Sequence, residues 1–290
     1  MNLKEKIERG DFVITAEMAP PKGIDFSHIR ECARAVKGRV DAVNVTDFQS
    51  AVVRASSLGG AKILLDEGLE PIMQITGRDR NRIAIQGELL SAAALGIKNV
   101  LALTGDHPSI GDHPEARGVF DMDSVNILQT ATKLMSGRDM NEHELSGIPQ
   151  FFLGASVTPL YDPLELQIIK MKKKIQAGAK FFQTQAVYDI NVIKGFMEKM
   201  KNINAKVLVG VIPLKSAGMA KYMNNNVPGI HVPDEIIDRM KKAEDKTREG
   251  LTIAAEFIQQ IKEEKICDGV HIMAVGAEEN VPILLDMCGF

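Results

Sequence analysis

Apolar residues in this chain gather into short runs that end on polar residues, and the runs recur at a regular interval. The first four are "FVITAEMAP" from Phe12, "DAVNVTDF" from Asp41, "EPIMQITG" from Glu70 and "NVLALTGD" from Asn99, beginning close to 29 residues apart. Each predicts a strand. Between them lie helical patterns such as "SHIRECARAVKG" and "NRIAIQGELLSAAALG", each ending near a glycine suited to a C-terminal cap. A strand, a helix and a return at constant spacing is the βα unit.

Four further strands follow at looser spacing: "QFFLGASVTP" from Gln150, "FFQTQAV" from Phe181, "KVLVGVIPL" from Lys206 and "DGVHIMAVGA" from Asp268. The intervening "PLELQIIKMKKKIQAG" and "INVIKGFMEKMKN", a long helical segment from Pro233 to Glu264, and the final "ENVPILLDMCG" complete the alternation. Eight strands with at least eight helices are what a closed (β/α)₈ barrel, the TIM barrel, requires. The expected fold class is therefore α/β, a single barrel domain over residues 1–290 with an extra helical segment before the last strand. An open doubly wound sheet is the competitor. It would carry a glycine-rich turn after its first strand, but that strand ends "EMAPPKG", with prolines where the turn needs glycine. The polar stretch Ser136 to Pro149 reads as a surface insertion.

Composition narrows the function. The chain has 290 residues, 45% of them hydrophobic, 25% charged, and a formal net charge of −3. That leaves no electrostatic footprint for nucleic acid. The opening "MNLKEKIERGDFVITAE" has no apolar core for a signal peptide and no later run approaches a membrane span, so a cytoplasmic location is expected. Cys32, Cys267 and Cys288 match neither a metal knuckle nor an iron–sulfur spacing and read as reduced thiols. Most of the 14 methionines occupy apolar positions as gap-filling core, although Met18, Met73 and Met273 would line a site if their strands form a ring.

Barrel enzymes carry their chemistry at the carboxyl ends of the strands. There the chain places Glu17, Thr46 with Asp47, Gln74 with Thr76, Thr104 with Asp106, Ser156 with Thr158, Gln183 with Gln185, Lys215, and Gly276 with Glu278. Alternation puts Val13, Thr15 and Glu17 on one face of the first strand. If that face is the lumen, Glu17 is a carboxyl in a partly apolar hole, where burial keeps a proton on it near neutrality. In "LALTGD", Gly105 lets the backbone approach a ligand and Asp106 projects a fixed negative charge, since the following "HPSIGDHPEARG" starts no helix at once. Lys170, Lys173 and Lys174 share one helix face by i, i+3, i+4 spacing, and read equally as a solvated face or as a phosphate site. His107 and His113 have no third ligand nearby, and His271 reads as a satisfied core residue, so no metal is expected.

Several of these motifs, in order and each on its own strand, resemble the methylenetetrahydrofolate reductase family. They are the first-strand Glu followed by Pro-Pro, "DAVNVTD", "LALTGD", "KKKIQAGAKFFQTQAVYD" and "VGVIPL", and the likeness runs from "FVITAEMAPPKG" to "AVGAEENVPILLDMCG". The resemblance implies a flavin-dependent reduction of 5,10-methylenetetrahydrofolate to 5-methyltetrahydrofolate. It casts Glu17 as the general acid and Asp106 as the acidic residue beside the flavin pyrimidine ring. Thr46, Gln74, Thr104, Gly105 and Asp106 would hold the flavin ring and ribityl chain, with Ser156 and Thr158 on the same rim. Lys174, then Lys170 and Lys173, would hold its phosphates, and Gln185 would contact the folate.

The chain departs from the family pattern at Gln74, where many relatives have His, at Thr104, where some have Arg, and at Ala217, where better-known members have an aromatic. These departures leave FMN open beside FAD, with FAD preferred. The resemblance is to the short bacterial type, which in some anaerobes works with an iron–sulfur partner subunit. NAD(P)H, ferredoxin and such a partner are all open as electron donors, and so is a homo-oligomer. Two rival functions stand: a flavin-free pterin-binding barrel that transfers a methyl group, and a subunit active only within a larger complex.

Overall fold

The computed structural model describes residues 1–290. Its first half runs α1 (Leu3–Arg9), β1 (Val13–Met18), α2 (Ser27–Val36), β2 (Ala42–Val45), α3 (Ser57–Asp66), β3 (Pro71–Thr76), α4 (Arg82–Ala94), β4 (Asn99–Leu103) and α5 (Ser124–Met135). The second half runs β5 (Phe152–Val157), α6 (Leu164–Gln176), β6 (Phe181–Ala186), α7 (Ile190–Met200), β7 (Lys206–Val211), α8 (Ala217–Asn226), α9 (Asp234–Lys242), α10 (Lys246–Glu263), β8 (Gly269–Met273) and α11 (Val281–Met287). The eight strands pair in parallel, in chain order, and β8 closes on β1. The ring is closed, so the doubly wound alternative falls and the barrel expectation stands.

Alternation along each strand separates two cores. Outward residues such as Ile14, Ala16, Met18, Val43, Val45, Met73 and Ile75 pack under the helices in a cluster of 53 buried side chains. Both faces of a parallel barrel sheet are covered, which is why the strands are almost uniformly apolar where they face helices. Met18 and Met73 therefore face the helices and not a site; only Met273 of the three expected methionines lines the central cavity. The helices carry the expected punctuation. Asn81 accepts hydrogen bonds from the Ile83 and Ala84 amides to start α4, and Gly96, at φ +87°, turns the chain out of it.

The inward residues change character along the barrel axis. At the amino-terminal end, Val13, Ala42, Ile72, Leu101, Phe152, Phe181 and Leu208 form an apolar plug together with Leu3 and Ile7 of α1. The Phe152 and Phe181 rings stack at 5.2 Å between centroids, and a Cβ on Gly154 would lie 2.3 Å from the Phe181 ring. Glycine there is what admits the phenylalanine. Helix α1 was not foreseen from the sequence. Only seven residues long, it is held by a capping box between Asn2 and Glu5 and by Leu3 and Ile7 entering the barrel floor. Helices α8 and α9 form the extra segment before β8 with α10. They pack on the β7 end through Ile212, Leu214, Met223, Ile237 and Met240. No helix is long and apolar enough to cross a membrane.

Leu3 is wholly buried, and shortening it leaves a cavity that the rigid strand ends cannot refill. Leu3→Ala should lower unfolding stability by about 3 kcal/mol in urea titrations, whereas the exposed Lys4→Ala should change it by less than about 0.5 kcal/mol.

Candidate active site

Above the apolar plug the lumen becomes polar. Gln183 and Asn44 exchange amide hydrogen bonds of 2.6 and 2.9 Å across the barrel, and Gln183 Nε2 also donates to Thr15 Oγ1 at 3.2 Å. The Thr15 hydroxyl lies 2.9 Å from His271 Nδ1. Each of these side chains is buried, and each has a partner.

One step further along β1, Glu17 faces the cavity. Its Oε2 accepts a hydrogen bond from Gln74 Nε2 at 3.1 Å and lies 3.6 Å from His271 Nε2, while Oε1 accepts from Gln49 Nε2 at 3.4 Å. The expected lumen-facing position is correct, and of the expected partly apolar hole it is the polar part that meets the carboxyl. Two amides and an imidazole surround the carboxyl: Gln74 of β3 and Gln49 donate to it, and His271 of β8, paired with Thr15 one step below, reaches up to it. No lysine or arginine pairs with Glu17. The sequence reading of His271 as a satisfied core residue is half right: it is buried and hydrogen-bonded, yet it also sits against Glu17 at the cavity.

The carboxyl ends of the strands enclose a cavity of about 550 Å³. Glu17, Gln74, Thr104, Gly105, Asp106, Ser156, Thr158, Lys170, Lys173, Lys174 and Gln185 all line it. The rim candidates Lys215, Gly276 and Glu278 do not, and neither does Thr46. It continues the inward phase of β2 beyond Asn44, and its buried Oγ1 is without a hydrogen-bond partner. The carboxylates of Glu17 and Asp106 thus open on one mouth.

Asp106 caps no helix; the His107 ring does that for the short turn Pro108–Ile110, accepting from the Ser109 amide at 3.2 Å. The Asp106 side chain is exposed and unpaired. Gly105 has φ +93°, and a Cβ on it would stand 2.9 Å from Arg78 Cβ, so the glycine is required by packing on the β3 loop. Thr104 Oγ1 accepts the Ser124 amide at the start of α5, at 3.3 Å.

The lysines divide. Lys170 and Lys173 are exposed on the cavity side of α6, whereas Lys174 is buried and donates to the Ser156 carbonyl at 2.7 Å. Burial, then the neighbouring Lys170 charge, pushes Lys174 down to about 8. The expectation placed Lys174 first among phosphate ligands; the structure gives its ammonium a backbone partner and leaves the other two exposed.

Sequence reading passed over the arginines of "TGRDR". Arg80 forks onto the buried Asp47 carboxylate at 2.7 and 3.1 Å, and the same carboxylate accepts from the Thr76 amide and hydroxyl, both at 2.9 Å. Burial opposes the Arg80 charge, but Asp47, Glu88 and Asp79 outweigh it and raise its pKa. Arg78 is 2% exposed and lines the cavity. Two arginines directly after a strand end were a readable signal. Elsewhere, His107 and His113 pair locally with Ser109 and Asp112. His28, Glu278 and Glu279 group within 4.8 Å at the surface, away from the cavity lining. The thiols of Cys32, Cys267 and Cys288 are free, and burial pushes them up to about 11, 12 and 11.

The profile described as methylenetetrahydrofolate reductase matches residues 2–289. Methylenetetrahydrofolate reductase 2 of Schizosaccharomyces pombe is 25% identical over 316 aligned residues, covering 100% of this chain and 47% of the relative. Methylenetetrahydrofolate reductase 1 of the same yeast is 22% identical, with 100% and 48% covered. The chain spans about half the length of the curated relatives it matches. Among solved structures, an uncharacterized protein from Clostridium thermocellum that binds two copies of 5-methyl-5,6,7,8-tetrahydrofolic acid superposes with a TM-score of 0.65. It is 19% identical, with 97% of this chain and 96% of that one covered, which is a likeness of fold.

The Lys174 environment has a measurable consequence. Between about pH 8 and its ordinary value of 10.5, Lys174 is uncharged when folded and charged when unfolded. The unfolded chain then binds more protons, so this residue's contribution to stability rises with pH across that window and is flat below it. The stability difference between wild type and Lys174→Met should therefore shift toward wild type by on the order of 2 kcal/mol from pH 7.5 to pH 10, read by urea unfolding.

Proposed function

The chain belongs to the methylenetetrahydrofolate reductase family, and on that premise we propose that residues 1–290 form a flavin- and folate-binding catalytic domain. Its reaction is the reduction of 5,10-methylenetetrahydrofolate to 5-methyltetrahydrofolate. The observation that carries this reading is the shared mouth: Glu17 on β1 and Asp106 after β4 line one cavity that Lys170 and Lys173 also line.

The residues present fit a flavin. The exposed lysines of α6 suit phosphate, and β5 stands opposite β1 in the ring, so an elongated molecule would span from lysines to Glu17. When bound, a flavin supplies the hydride. Gln74, Thr104, Gly105 and Asp106 would flank its ring, with Ser156 and Thr158 nearer the lysines. FAD is carried ahead of FMN.

Glu17 is the acid that would protonate the folate. Protonation at N10 opens the five-membered ring and leaves a cationic iminium at N5, ready to accept hydride at the methylene carbon. Gln74 and His271 fix one carboxyl oxygen of Glu17, so the acid meets the substrate in a set orientation. Asp106 adds an unpaired negative charge to the same mouth, which favours the cation wherever water is excluded. Gln185 lines the same cavity and would contact the pterin. Reducing equivalents enter from NAD(P)H or from an iron–sulfur protein partner.

Purified protein with flavin absorbance would dispose of a flavin-free methyl-transfer barrel. The decisive variant is Glu17→Gln. It should keep flavin reduction by the donor while methylenetetrahydrofolate reduction falls by about 10²–10⁴-fold. Near-normal folate reduction in single-turnover assays would remove Glu17 from the role of acid.

A further inference from the structure

The loop after β2 holds a backbone that L residues rarely adopt. Phe48, Ser50 and Ala51 all have left-handed φ, at 48°, 56° and 56°. Three such residues within four positions persist only where the surroundings over-determine them. This loop also carries Gln49, whose amide reaches Glu17. The partner that holds it is Arg78.

The Arg78 guanidinium uses every nitrogen. Nε and one terminal nitrogen donate to the Asp79 carboxylate at 2.9 and 2.7 Å, and that terminal nitrogen also donates to the Phe48 carbonyl at 3.1 Å. The other terminal nitrogen donates to the Asp106 carbonyl at 3.3 Å. The Arg78 carbonyl accepts from the Val119 amide at 2.6 Å, and Gly105 packs on the Arg78 stem. Asp79 cancels the charge, so Arg78 serves here as a fork and not as an anion site.

We propose that Arg78 is a positioning residue, a clasp that fixes the β2 and β4 loops to each other so that Gln49 and Asp106 enter the cavity from a set backbone. The loops also touch directly, since a Cβ on Gly111 would stand 1.9 Å from the Ala51 carbonyl. Arg78 supplies the polar bond to each. The roles of Glu17 and Asp106 in folate reduction rest on the function proposed above; the clasp does not.

Hydrogen exchange on the full chain without flavin or folate tests the clasp alone. Arg78→Lys keeps the charge, but a single ammonium cannot span Asp79 and two carbonyls. Amides in 47–53 and 104–111 should exchange about tenfold faster, with α6, α7 and β6 unchanged. Exchange at the wild-type rate in both loops overturns the clasp. So does acceleration throughout the barrel, as in a control Phe196→Leu that loosens α7. Arg78→Gln replaces the lysine variant if that variant does not fold, with the same outcomes. In turnover assays with flavin and folate, the variant should lose about tenfold in kcat with KM changed by less than about twofold. Loosened loops with unchanged kcat overturn the positioning role, whereas wild-type protein inactive with folate overturns the proposed function and leaves the clasp standing.

Discussion

The chemistry of this barrel rests on a layer of hydrogen bonds across its lumen, centred on the Gln183 amide. A closed parallel ring points every second side chain inward, and the inward space must be filled without leaving a polar group unpaired. Below Gln183 that is done with apolar side chains and the α1 plug; at Gln183 it is done by reciprocal bonds to Asn44 and a branch to Thr15 and His271. In a low-dielectric interior such a network is rigid when complete and costly when broken. Its upper edge is His271, which faces Glu17. The carboxyl is therefore oriented by a chain of contacts that begins on β6, on the far side of the barrel.

Much of this order is legible in the sequence because it is periodic. The 29-residue rhythm of the first four strands reports βα units directly, and Val13, Thr15 and Glu17 show the lumen passing from apolar to polar to acidic within one strand. What the sequence does not display is which inward residues share a height. Thr15 and His271 are 256 positions apart, and they meet only because β8 closes on β1 in the register that pairs them. Glu17 and Gln74 are therefore both legible as rim residues, but that Gln74, Gln49 and His271 gather on the Glu17 carboxyl is not. Helix α1 escaped for a different reason: seven residues carry too little periodicity, and its stability comes from the barrel floor.

The strand that stops on a carboxylate shows how local and distant causes combine. "NVLALTGD" is buried from Asn99 to Ala102, where β4 is covered on both faces, and Thr104 then turns to hold the α5 amide end. Gly105 takes a left-handed φ so that the chain can pass against Thr76 and Arg78. The Asp106 carbonyl points back to Arg78, and the carboxylate is left in the mouth. A glycine that reads as room for a ligand is also room for the protein's own β3 loop. The negative charge at the rim follows from that turn.

Charge pairing then decides which groups can act on a ligand. Four cationic side chains besides Lys174 stand at or beside the cavity, but Arg78 is matched by Asp79 and Arg80 by Asp47, leaving Lys170 and Lys173 exposed with no ion-pair partner. On the acidic side, Asp47 and Asp79 are consumed in the same pairs, and Asp106 is left unpaired, with Glu17 bonded to neutral amides. The exposed, unpaired charges of the mouth are thus the Lys170 and Lys173 ammoniums on α6 and the Asp106 carboxylate after the neighbouring β4, with Glu17 on β1 opposite β5. A ligand suited to this mouth carries anionic groups that meet the α6 lysines and develops positive charge within reach of Asp106, the combination that the function proposed above would require.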